Sequence, residues 1–396
     1  MSYPYRSKTL DRLGVRSWVN ANNWSTVLGG TWLPEYVLEA MDEVSRTFVD
    51  MFELVAKVDA RIAQLCGVED AHVVSGAGAA IELAVAGCLA GSDFGKWQRL
   101  PDVEGMKSDV VMPRGHYISY TPQWAASGGK IVEYGQAGSL RSFRDELESA
   151  INNNTCCLAY TVSYNVVPRG VIPLEEVVGA GKKHSIPVVV DAASMLPPVA
   201  NLHRYTDMGV DIVCFSGGKA VQGPNNTGMM LGNGKGAAII KAVREHSFPH
   251  IGWGRGHKVS KEQIVGLCVA LEEFVKRGDA LYVKQMQVAE HIVRELGQIK
   301  GVTASIIPND ETHHEHVAMP HVPRVKLEWD KSVVGFSGAD LDAYMAKEDP
   351  PVALRNIIYF DYYTDKAWRL IDTYYLRDEE VALIIDRLKR IFSPAQ

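Results

Sequence analysis

Short β-branched runs alternate with longer helical patterns along most of the 396-residue chain. The runs Ala71–Val74, Asp109–Met112, Lys130–Glu133, Cys156–Thr161, Pro187–Asp191, Asp211–Phe215 and Gly228–Leu231 predict strands. Between them, Ala79–Leu89, Leu140–Asn152 and Leu174–Lys183 carry helical spacing. Near-continuous apolar strands separated by helices predict an α/β fold, with a mostly parallel central sheet flanked by helices on both faces. Ahead of this block, Pro34 opens a predicted helix Glu35–Arg46 and Gly67 closes a second, Glu53–Cys66. Beyond about residue 259, long helical patterns run to about 298 and break near Gly278. Short strands around Val302–Ile306, Arg324–Glu328 and Ile357–Phe360 then alternate with helices near 338–346 and 378–391. The aromatic stretch Tyr359–Tyr375 alternates with apolar residues and reads as sheet packing. These patterns divide the chain into a large domain, 51–259, and connecting helices with a smaller α+β C-terminal domain, 260–396. An N-terminal segment, 1–50, is expected to contribute to the smaller domain and to the site.

Composition narrows the class. With 46% hydrophobic and 22% charged residues, the chain reads as an ordinary globular protein with a large core. Its 41 Lys+Arg against 47 Asp+Glu give a formal charge of −6, which disfavours a dedicated nucleic-acid binder. The most apolar stretch, Ala77–Ala90, is interrupted by Glu82 and is too short to span a bilayer. The opening MSYPYRSKTLDRLG has no apolar run of signal-peptide length. Six cysteines with no CxxC, two of them adjacent at Cys156 and Cys157, predict a reducing compartment, most simply the cytoplasm.

Three windows carry chemistry. In the first, Pro187–Gly232, one β run ends in Asp191 and Ala192-Ala193-Ser194, and a second ends in Phe215-Ser216-Gly217-Gly218 before Lys219. Residues just past the carboxyl ends of parallel strands gather at a ligand crevice. An acid and a lysine there suit pyridoxal phosphate (PLP): the lysine forms a Schiff base and the carboxylate keeps the pyridine nitrogen protonated. A salt bridge beside a glycine turn uses the same residues, and their spacing alone does not decide. In the second window, Ser75-Gly76-Ala77-Gly78-Ala79-Ala80 follows a β run and opens an apolar helix, a natural seat for a phosphate. The rival dinucleotide fingerprint fails because Ile81 occupies the third glycine position, and a Walker A loop fails because Ala220 follows Lys219. The third window, Pro113-Arg114-Gly115-His116, places a histidine where it can stack on a planar cofactor. The conjunction of phosphate seat, ring neighbour, acid and amine points to PLP.

The order SGAGAA, PRGH, DAAS and FSGGK-x-x-x-GP-x-x-x-G resembles the fold-type-I PLP enzymes. More narrowly, it resembles the group of selenocysteine synthase (L-seryl-tRNA selenium transferase) and D-glucosaminate-6-phosphate ammonia-lyase-like proteins. Val19-Asn20-Ala21, Leu28-Gly29-Gly30 and Gly254–Glu262 share that likeness, which is strongest over about residues 18–270. The resemblance implies that Lys219 is the Schiff-base lysine, Asp191 the pyridinium partner and His116 the ring-stacking residue. It further implies phosphate contacts from Ser216 and Gly76-Ala77-Gly78, a cofactor neighbour in Ser194, and a substrate-carboxylate clamp in Arg355. Trp24, near the N-terminal glycines, is a candidate wall for the substrate. The homologous region begins within about twenty residues of the start, which leaves no room for a tRNA-binding domain and weakens the selenium-transferase reading.

The expected function is a PLP-dependent lyase: Cα deprotonation and α,β-elimination on an amino acid or amino-sugar acid, releasing ammonia and a 2-oxo acid. Racemase or epimerase, aldolase and aminotransferase outcomes share the first steps, and fold does not choose between them. A nucleotide binder and a non-catalytic scaffold are the rival classes. A small-molecule substrate and at least a homodimer are implied, with Arg255 or Lys258 as candidates to reach a neighbouring subunit's phosphate; no nucleic acid, membrane or metal is expected. His313-His314-Glu315-His316 invites a metal reading, but adjacent ligands seldom converge on one tetrahedral site.

Overall fold

The computed structural model describes residues 4–138, 141–163, 171–307, 322–355 and 367–392. Its strands are β1 (Val19–Ala21), β2 (Asp70–Val74), β3 (Asp109–Pro113), β4 (Lys130–Tyr134), β5 (Thr155–Thr161) and β6 (Val188–Asp191). The rest are β7 (Ile212–Ser216), β8 (Gly228–Gly232), β9 (Val302–Ile307), β10 (Arg324–Trp329), β11 (Val352–Leu354) and β12 (Ala367–Asp372). The described residues form two compact units: Leu33–Gly278, and the residues up to Trp32 together with those from Asp279 onward.

In the larger unit, β2–β8 form one sheet in the order β2-β8-β7-β6-β5-β3-β4. Only β8 runs antiparallel to its neighbours, so the seven predicted strands do form one mostly parallel sheet. The carboxyl ends of β2, β3, β5, β6 and β7 therefore share one edge, where β8 begins. Apart from half-buried Glu82, the helix Ala77–Ala90 is apolar, as a helix buried in the core must be. Its Ile81, Leu83 and Val85 pack in one core with Val110, Met112, Cys157, Val189, Cys214 and Met230 of the strands.

The smaller unit holds an antiparallel sheet, β12-β10-β9, and a parallel pair, β1 with β11. Val19, Asn20 and Ala21 align with Val352, Ala353 and Leu354, so the N-terminal segment does contribute a strand to this unit. Leu296, Leu327, Trp329, Ile371, Ile384 and Leu388 form its core.

The division falls after Trp32 and after Gly278, not at the expected 50/51 and 259/260. The reason is packing: the helix Lys261–Arg277 lies against Glu35–Ser45 and Met51–Cys66, which draws all three into the larger unit. Gly278 ends the first of these at φ +56, a conformation L side chains rarely adopt. The predicted strand Ile357–Phe360 lies outside the described residues, as does His313–His316.

Candidate active site

Asp191 is the last residue of β6 and is 6% exposed. Burial pushes its carboxyl up from the ordinary range, while the Ala193 N–H and the Lys219 charge oppose that rise. The Ala193 N–H donates to Asp191 Oδ1 at 3.0 Å, fixing the carboxylate at the strand end. Lys219, half-buried, follows β7 by way of Gly217 and Gly218. Those glycines are sterically required. A Cβ at Gly217 would collide with Leu267 and Thr227, and one at Gly218 with the backbone of Asn225. The sequence left Asn225 without a role; it is the floor on which the lysine loop lies.

The candidate phosphate seat is set by register. Val74 of β2 and Ser216 of β7 both pair with Gly228, the first residue of β8. A Cβ on Gly228 would strike the Gly76 backbone and lie 2.7 Å from the Ala77 nitrogen. Only glycine lets the Gly76–Gly78 turn come this close to the end of β7. Gly76 has φ +104, and a Cβ built there would meet nothing within 4 Å, so open space lies beside the turn. The helix Ala77–Ala90 begins here, and its first N–H groups have no intrahelical acceptor. A Cβ on Gly78 would touch Gln123 Cγ at 3.4 Å, and Gln123 Oε1 is buried without a hydrogen-bond partner. Turned over, that carboxamide would present N–H donors to an anion. The sequence carried no signal for Gln123.

His116 sits after β3, 2% exposed. The Thr161 N–H donates to His116 Nδ1 at 3.2 Å, and the ring of Tyr160 meets the imidazole edge-on, with centroids 4.3 Å apart. Thr161 pairs with Asp191, so one ladder ties the histidine to the acid. Ser194 is buried three residues past Asp191, and Ser216 is half-buried at the end of β7. Thus Asp191, Ser194, Ser216, Lys219, His116 and the Gly76–Gly78 turn all stand at one edge of one sheet.

Arg355 and Trp24 belong to the smaller unit. Arg355 is 7% exposed, and its backbone pairs both ways with Leu370, so it is an interior arginine and not a solvated one. Arg324, an alternative clamp, donates to Asp372 at 3.1 Å in a buried ion pair. Trp24 meets Tyr374 edge-on at 5.4 Å, and its buried Nε1 has no acceptor among the described residues.

A buried acid, an amine one strand away and an open turn at a helix start, with a stranded polar carboxamide beside it, fit the ring nitrogen, aldehyde and phosphate of PLP. Among the described residues no group of three His, Cys, Asp or Glu is arranged to hold a metal.

The chain is similar to several known proteins. Residues 107–243 match the aminotransferase class-V family model. The 5'-C-glycyluridine monooxygenase-decarboxylase of a Streptomyces species is 33% identical over 351 residues, 87% of this chain and 83% of that protein. D-glucosaminate-6-phosphate ammonia lyase of Salmonella typhimurium is 30% identical over 385 residues, 96% of each chain. A solved structure of D-glucosaminate-6-phosphate ammonia-lyase superposes with a TM-score of 0.81 at 28% identity, covering 98% of this chain and 99% of that one.

Proposed function

Because the chain belongs to the class-V aminotransferase family of fold-type-I PLP enzymes, in the group of D-glucosaminate-6-phosphate ammonia-lyase, we propose that it eliminates ammonia from an amino-sugar acid or a related amino acid bearing a leaving group on Cβ. The observation that carries this reading is the shared sheet edge, with buried Asp191, Lys219 after two closely packed glycines, and an open turn at Gly76.

When bound, PLP supplies an electron sink that stabilises the charge left at the substrate Cα as its proton departs. Asp191 would hold the proton on the pyridine nitrogen; an acid kept from water pairs strongly with a cation placed against it. His116 would cover the ring, its orientation locked through Nδ1 by the Thr161 N–H. The Gly76–Gly78 turn and Ser216 would bind the phosphate, with Ser194 close to the ring. Lys219 Nζ would hold the cofactor and is the amine placed to take the substrate Cα proton. Loss of the Cβ group and of ammonia from such a substrate would yield a 2-oxo acid. In the smaller unit, Arg355 would hold the substrate carboxylate through its two-pronged guanidinium, and the buried indole N–H of Trp24 offers a donor to a polar substrate group.

A second reading follows from the Streptomyces relative, whose name describes oxygen insertion and loss of carbon dioxide. One panel separates the two. Purified protein is incubated with amino acids and amino-sugar acids, with and without 6-phosphates, while ammonia, 2-oxo acid, carbon dioxide and dissolved oxygen are followed. Ammonia and 2-oxo acid in equal amounts without oxygen uptake support the lyase. Oxygen uptake with carbon dioxide release supports the second reading.

We also propose a homodimer in the cytoplasm. Exposed Phe48, Phe52 and Ile251 leave apolar surface on the larger unit, and all six cysteines are free thiols. Arg255, which lies over the Phe248 ring, and Lys258 are the candidates to reach a neighbouring subunit. No helix of the described residues is long and apolar enough to cross a membrane.

A further inference from the structure

We infer that Glu82 and His257 act as positioning residues for the cofactor phosphate, through the hydroxyl of Ser75. The inference rests on the PLP reading above and assigns to that site residues outside the machinery already described.

Ser75 stands between the last residue of β2 and the Gly76 turn. His257 comes from a segment more than 150 residues further on, yet its Nδ1 lies 3.5 Å from Ser75 Oγ. Its Nε2 lies 3.2 Å from Glu82 Oε1. Glu82 is the only charged residue in the helix Ala77–Ala90, whose N-terminus forms the phosphate seat. All three side chains are half-buried. The segment packs closely on the helix: a Cβ on Gly254 would lie 2.8 Å from Leu83 Cδ2 and 2.6 Å from Ser247 Oγ. The Gly254 carbonyl then accepts from the His257 N–H at 3.1 Å, a turn that carries the ring to Ser75.

The chemistry follows from donor and acceptor inventories. A carboxylate only accepts, so His257 Nε2 carries a hydrogen toward Glu82. A serine hydroxyl has one hydrogen to give. If Ser75 gives it to Nδ1, the hydroxyl presents only lone pairs to an incoming phosphate. If the ring is protonated, Nδ1–H donates to Oγ and the Ser75 hydrogen is released for the anion. Glu82 Oε1, 3.2 Å from Nε2, accepts from the ring in either state. With both ring nitrogens carrying hydrogen, the chain Glu82–His257–Ser75 turns the hydroxyl into a phosphate donor. A purely structural role, a clip between loop and helix, predicts the same geometry with no preference for the phosphate.

The test compares PLP with pyridoxal, which has the aldehyde and ring but no phosphate. Cofactor-free protein is titrated with each by absorbance, for wild type, Ser75→Ala, His257→Ala and the double variant. Wild-type binding of PLP tests the parent reading by itself. The inference expects each single variant to weaken PLP by about tenfold, the scale of one charge-assisted hydrogen bond, with pyridoxal affinity unchanged. It also expects the double variant to be no weaker than Ser75→Ala, since coupled groups are non-additive. Equal losses for PLP and pyridoxal, additive losses in the double variant, or no loss of PLP affinity would overturn it. Should His257→Ala fail to fold, Glu82→Gln keeps the shape and removes the charge, and the same selective loss of PLP affinity is expected; an unchanged PLP affinity there overturns the inference equally.

Discussion

The backbone N–H of Thr161 donates to Nδ1 of His116 at 3.2 Å, so the hydrogen of the neutral imidazole is left on Nε2. Because Thr161 also pairs with Asp191, the ring and the acid hold their places through the same ladder. His116→Ala removes the acceptor from a buried N–H and should lower stability by about 1–3 kcal/mol. His116→Phe restores a flat ring but not the acceptor. It should recover much of the cofactor affinity while keeping the loss in stability. Thermal melts and PLP titrations of the two variants check this; equal PLP affinity in His116→Ala and His116→Phe would show that the ring does not cover the cofactor.

Gly228→Ala is a test of the register argument. The added Cβ would press on backbone atoms of Gly76 and Ala77, which have no flexible end to yield. Overpacking of this kind should cost about 1–3 kcal/mol and push the phosphate turn off the end of β7. A PLP dissociation constant raised at least tenfold is expected. Wild-type affinity in the folded variant would show that the turn is not the phosphate seat.

Asp191 should cost the protein stability in exchange for its role. Its carboxyl is raised in the folded state, chiefly by burial, so folding favours the protonated form. The associated stability is fully present below the ordinary carboxylate pKa of about 3.9 and is lost as pH rises through the higher folded value. Asp191→Asn removes the charge. Cofactor-free Asp191→Asn should therefore melt higher than wild type at pH 7, with the gap closing toward pH 4, while its turnover falls sharply. Thermal melts across that range and steady-state rates test both halves; a lower melting point at pH 7 would mean that Asp191 is stabilising in its charged form.

Arg355 should be intolerant even of lysine. An interior guanidinium that binds a carboxylate bidentately has no ammonium substitute. Arg355→Lys and Arg355→Ala should leave the cofactor spectrum intact and lower kcat/KM by ~10²-fold, roughly 2.7 kcal/mol of transition-state stabilisation. Unchanged kcat/KM for Arg355→Ala would remove it from the site. Arg324 would not inherit the role, because Asp372 already holds its guanidinium.

Much of this was legible because the sheet is buried on both faces. Runs such as Val188-Val189-Val190 leave no solvent side on which a polar residue could blur the strand. The candidate site residues drew notice because they stand at the ends of those runs, Asp191 as the last residue of β6 and Lys219 three residues past β7. What escaped depends on contacts across large sequence separations. The three-residue pairing of β1 with β11 has too little pattern to announce itself. The domain boundary moved because Lys261–Arg277 finds its apolar partners near the start of the larger unit, not in the chain that follows it. Glu82 registered only as an interruption of an apolar helix; its partner, His257, is 175 residues away.

The most direct test of the central claim is to load the protein with PLP, reduce it with borohydride and map the label by peptide mass spectrometry. A single adduct on Lys219, absent from a folded Lys219→Ala variant that has also lost turnover, is the result predicted. An adduct on another lysine, or a Lys219→Ala protein that still turns over substrate, would contradict the assignment on which the site is built.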